Sequence, residues 1–88
     1  MNPDTFGSYV SKRRKELGLS QKDMAGLVLR EEDLKPISPQ YLNDIERDRR
    51  KPSSDHLVRQ FASALDEKNA DYLFYLVGTI PEEFRSLP

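Results

Sequence analysis

The chain has no cysteine and no tryptophan, and its single histidine is His56. Without cysteine there is neither a disulfide framework nor a thiolate metal site. One histidine does not complete a structural zinc site, so no metal is expected. A secreted domain of 88 residues would ordinarily lean on disulfides, so the composition points to a reducing, cytoplasmic setting. Long apolar runs are also missing. The longest, residues 72–77, falls far short of the ~20 residues that span a bilayer. The opening stretch MNPDTFGSYVSKRRK has no apolar run followed by a cleavage site, unlike a signal peptide. There is no glycine-rich phosphate loop. The carboxylates are spread through solvated helical patterns, so a hydrolytic acid/base pair has no support. Neither an enzyme nor a cofactor is expected.

Net charge is nearly absent too, at −1, which argues weakly against a polyanionic partner. Its distribution argues the other way. Residues 1–52 hold eleven Lys/Arg against nine Asp/Glu, whereas residues 53–88 hold three against six. A local patch matters more than the total, because salt limits the reach of charge to about 8–10 Å.

What is present reads as one small all-α domain of five helices. Phe6, Val10 and Leu17 recur at helical spacing over residues 4–17, and Gly18 suits a left-handed stop. Ser20 and Asp23 form a capping pattern for a second helix, QKDMAGLVLR, with Met24, Ala25, Leu27 and Val28 on its apolar side. Pro36 ends any helix before it. Ser38 caps a third helix with Pro39 at its first position; Leu42 and Ile45 point inward. Ser53 or Ser54 caps a fourth, in which Leu57, Val58, Phe61, Ala62 and Leu65 face the core. A fifth covers residues 70–77, ends at Gly78, and is followed by a tail that adds a short turn from Pro81.

The order GLSQKDMA, then ISPQYLNDIERDRRKPS, then a helix of Leu, Phe and Ala resembles the phage repressor/Cro-type (XRE) helix-turn-helix family over residues 6–66. The tail resembles the C-terminal extension of some members. The resemblance implies a DNA-reading domain over residues 1–68, with residues 69–88 as a dimerisation element of the same domain. Two features depart from the family. Ala25 and Ser38 stand thirteen residues apart, farther than the usual turn, and the surplus falls in REEDLKP, residues 30–36. The glycine usual after the IER triplet is Asp48, a residue type that enters the left-handed region more readily than most.

The third helix is then the recognition helix, whose N-terminal residues face base edges in the major groove. Gln40 and Asn43 share a face, and each amide can pair with adenine through two bonds. Pro39 offers apolar contact to a thymine methyl, and Asp44 can accept from cytosine. Arg47, Arg49, Arg50 and Lys51 favour the helix dipole as C-terminal cations; they also suit phosphate. Tyr41 is either a packing residue or a phosphate hydrogen-bonder. Gln21 matches the family's phosphate-contacting glutamine, with Lys22 beside it. Arg14 and Glu46 align with the family's buried ion pair. In KRRK, residues 12–15, Lys12 or Arg13 lies within reach of phosphate. An apolar fifth helix needs a cover, and Tyr72, Leu73, Tyr75, Leu76, Phe84 and Leu87 are the expected homodimer contacts. The partners implied are double-stranded DNA and a second copy, with no membrane. Two rivals stand beside a homodimeric repressor. One is an antitoxin-type regulator with a small protein partner. The other is a protein-interaction module of the same fold with little DNA affinity.

Overall fold

A computed structural model describes residues 5–66 and 70–78. These form α1 (Phe6–Glu16), α2 (Gln21–Ala25), α3 (Pro39–Glu46), α4 (Asp55–Ala64) and α5 (Asp71–Gly78). Among the described residues there is no strand, only an isolated antiparallel bridge between Leu29 and Pro36.

Local signals explain most helix ends. Thr5 and Ser8 close a reciprocal capping box at the start of α1, so two of the orphan donors at that end are satisfied. Ser20 and Asp23 do the same for α2. Ser38 accepts from the Tyr41 N–H, with Pro39 in the first turn of α3. Of the two serines before α4, Ser54 is the cap, accepting from the Leu57 N–H. Gly18 leaves α1 at φ +74°.

The second helix is shorter than its pattern predicts. It ends at Ala25, with Gly26 as its C-terminal cap. Leu27 and Val28 then bond back by only three residues, to Met24 and Ala25. The remainder becomes one arm of a hairpin in which Ile37 N–H donates to Val28 O and Arg30 N–H to Lys35 O. The longer connection thus folds on itself through backbone hydrogen bonds. Leu27 is exposed as a result, not on the apolar side.

The hairpin is fastened to α4 through both backbone groups of Leu29. Its N–H donates to Gln60 Oε1 at 3.1 Å, and its carbonyl lies 3.0 Å from His56 Nε2. His56 is therefore a half-buried anchor, not a surface residue. At the tip, Arg30 and Asp33 pair side chain to side chain. That hydrogen bonding holds the Asp33 carboxyl below the usual range and pushes the Arg30 guanidinium up.

The core gathers Val10, Met24, Val28, Leu42, Ile45, Phe61, Leu65, Leu73 and Leu76, all essentially without solvent contact. Leu73 and Leu76 of α5 are thus absorbed by this chain's own core. They are removed from the expected interface, because α5 packs on α1 and α4. Tyr72 and Tyr75 stay exposed. Phe84 and Leu87 lie outside the described residues.

At Gly7, α1 closely approaches the C-terminal end of α3. A Cβ on Gly7 would stand 2.8 Å from the carbonyl oxygen of Glu46 and closer still to that of Ile45. Asp48 follows in the left-handed conformation, φ +60°. Its carboxylate turns back onto α1, accepting from the Gly7 N–H at 3.0 Å and the Thr5 hydroxyl at 2.6 Å. A negative group there also suits the positive end of α1. Asp48→Gly relaxes the backbone but removes both bonds. It is expected to lower stability by about 1 kcal/mol in urea unfolding, although glycine is the usual residue at such a φ.

Candidate nucleic-acid interface

The placement of α3 is fixed from behind. Leu42 and Ile45 bury completely. Beside them Arg14 of α1 forms a two-pronged ion pair with Glu46, Nε to Oε2 at 2.6 Å and Nη2 to Oε1 at 3.1 Å. Arg14 Nη1 also donates to Leu19 O at 2.8 Å. Gln21 of α2 donates to Glu46 Oε1 at 3.0 Å and to Asn43 Oδ1 at 3.2 Å. One cluster therefore joins α1, α2 and α3, and each buried charge has several partners, as burial demands.

This cluster changes the role of Gln21. Both hydrogens of its amide are engaged with α3, so as placed its side chain presents no donor to a phosphate. Arg13 is likewise occupied, bonded to Glu16 and to the carbonyl of Leu65. Lys22 is exposed in the first turn of α2.

The opposite side of α3 is open. Pro39 and Gln40 are exposed; Tyr41, Asn43 and Asp44 are half-buried. Both amides make one hydrogen bond within the chain. Gln40 Nε2 donates to Asp44 Oδ1 at 3.1 Å, which leaves its carbonyl oxygen and its second N–H. Asn43 Oδ1 accepts from Gln21, which leaves its amino group. The bond to Asp44 orients the Gln40 amide, and the bond from Gln21 orients that of Asn43. Gln40 keeps its oxygen and one N–H, and Asn43 keeps both N–H groups, so donors and acceptors remain on the same face.

Arg47, Arg49, Arg50 and Lys51 are exposed where α3 ends. Arg49 and Arg50 both approach Asp44, at 3.9 Å and 3.5 Å. The Arg50 guanidinium also lies 5.8 Å from the centre of the Tyr41 ring. Tyr41 is therefore both a packing residue and a platform for a cation.

A groove of about 760 Å³ separates the hairpin from the loop before α4. Lys35, Glu31 and Glu32 line one side, and Arg50 and Lys51 the other, with Tyr41 and Ile37 among the lining residues. Gln40 and Asn43 do not border it, and Gln40 stays exposed beside the inserted hairpin. The anchoring roles of His56 and Gln60 have no local sequence signal: their contacts to the hairpin span 27 and 31 residues.

Among the described residues, no helix is long and apolar enough to cross a membrane, and no cluster of acidic and histidine side chains forms a metal site. Helix length, order and the outward face of α3 define a helix-turn-helix domain. The chain matches the helix-turn-helix family over residues 10–68 and belongs to it, as a DNA-binding transcription regulator of the XRE type. That family is a DNA-binding regulatory domain and not an enzyme family. No characterised protein and no solved structure matches the chain.

Removing one member of the buried pair strands the other. Glu46→Leu is expected to cost about 3–5 kcal/mol, whereas Arg14→Met combined with Glu46→Leu recovers most of the loss. Urea unfolding of the two variants measures the difference.

Proposed function

We propose that the chain is a sequence-specific repressor that docks as a homodimer on a near-palindromic operator. The observation that carries this reading is the two-sided α3. Its apolar side is sealed by Leu42 and Ile45, while Gln40 and Asn43 stand on the open side. Gln40 and Asn43 read base edges, with Pro39 at the entry of the helix and Asp44 one turn farther on. Lys22, Tyr41, Arg47, Arg49, Arg50 and Lys51 grip phosphates and set the register of the helix in the groove.

The second copy docks on the exposed tyrosines of α5. Tyr72 and Tyr75 stack at 6.2 Å between ring centres, and Tyr9 of α1 meets Tyr72 edge-on at 5.0 Å. Such a ladder offers area at little conformational cost, because the rings already support one another. A two-fold pair places two recognition helices on half-sites about 10–10.5 bp apart, or a multiple of that. Repression follows from occupying the promoter region that the operator overlaps, in the cytoplasm.

A second reading, an antitoxin-type regulator, draws support from the hairpin. Leu27 and Leu34 are exposed there, and Leu34 is held at φ 57°. A small protein partner covers them in that case, and it co-purifies with the chain.

Selection from a random duplex pool tests the main reading. The expected result is a two-fold symmetric site. Gln40→Ala relaxes one position per half-site by about 1–3 kcal/mol. Arg47→Gln weakens all sequences alike and lowers the salt slope by about 0.9. No salt-dependent duplex binding at all would leave only the protein-interaction module.

A further inference from the structure

Three carboxylates lie along the second half of α3 and the turn after it, and they face different ways. Glu46 is turned inward to Arg14. Asp48 is turned onto the start of α1. Asp44 alone of the three lies on the open side, where a phosphate backbone would repel it. Its Oδ1 accepts from Gln40 and faces Arg49 at 3.9 Å, and its Oδ2 faces Arg50 at 3.5 Å. Its backbone carbonyl accepts from the N–H groups of Arg49 and Arg50, at 2.9 Å and 3.4 Å. One residue thus holds the main chain of the basic loop, two of its guanidinium groups and a base-reading amide. The Asp44 side chain is only 18% exposed, against 61% and 62% for the arginines. The carboxylate is therefore the fixed member and the cations are the movable ones.

This arrangement has a consequence for DNA. If Arg49 and Arg50 swing to phosphates, Asp44 is left without a counter-charge beneath a polyanion. That state is unfavourable on any sequence unless a base supplies a donor to the carboxylate. In the major groove such donors are the amino groups of cytosine and adenine; guanine and thymine present acceptors or a methyl group there.

We propose that Asp44 is a specificity latch, holding Arg49 and Arg50 off the DNA until a cytosine or adenine amino group takes their place. The latch rests on the DNA-reading role of α3 proposed above. It makes phosphate gripping conditional on the correct base, so the chain gains discrimination by suppressing its affinity for the wrong sequence.

The test compares the full chain with Asp44→Ala and Asp44→Asn, on a random-sequence duplex and on the selected operator, across a range of salt. Thermal melting verifies that each variant is folded. Both variants are expected to bind the random duplex about threefold to tenfold more tightly, the scale of two exposed ion pairs. Their salt slopes steepen, and Asp44→Ala loses its preference for an amino-bearing base at one position per half-site. Adding Arg49→Ala and Arg50→Ala to Asp44→Ala abolishes the gain. If folded variants bind random duplex no more tightly than the parent chain, the latch is overturned while DNA reading stands. If neither the parent nor the variants bind duplex at low salt, the DNA reading fails and the latch with it.

Discussion

The ion pair between Arg14 and Glu46 is the constraint on which the placement of α3 depends. Its two prongs fix the angle of the guanidinium plane, and the third donor of Arg14 reaches Leu19 at the entry to α2. Gln21 then ties the same carboxylate to Asn43. Two charges buried this way add little net stability, because desolvation offsets most of their attraction. What they supply is orientation. A rotation of α3 about its axis would break several directional bonds at once, so the face that carries Gln40 is held outward. The close approach of Gly7 and the reach of Asp48 to α1 make a second point of attachment at the end of the same helix. Two attachments resist tilting as well as rotation.

The inserted hairpin respects that framework. It leaves after Ala25, folds against α4 and returns to Ser38 with its cap intact. Both polar groups of Leu29 are satisfied by His56 and Gln60, so the added residues do not strand buried backbone. The helices on either side keep their contact because the extra length is absorbed outside it. Its acidic tip stands across a groove from Arg50 and Lys51, which places opposite charge beside the basic loop.

Much of the fold was legible in the sequence because it follows from local chemistry. The caps at Ser20 and Ser38, the left-handed turns at Gly18 and Asp48, and the inward set Leu42, Ile45, Phe61 and Leu65 all follow short-range rules. The length of α2 was not legible. Its apolar spacing continues through Val28, but Val28 is buried from a hairpin arm and Leu27 from neither. Periodicity does not separate a helix from a short extended arm when both bury the same residue. In α5, spacing identified apolar residues without showing which side met the chain's own core. Long-range side-chain bonds were the least visible. Nothing near Gln21 signals that its amide is spent on Glu46, or near His56 that it holds a carbonyl in the insertion.

The outward face of α3 and the basic loop behind it are the proposed surface for DNA. Nitrogen-labelled protein titrated with a short duplex at low salt tests this directly, through the amide resonances of backbone and side chains. The expected shifts concentrate in residues 38–51, including the side-chain amides of Gln40 and Asn43, with residues 71–78 unmoved. Shifts confined to α5 or to the hairpin, or none at low salt, would contradict it.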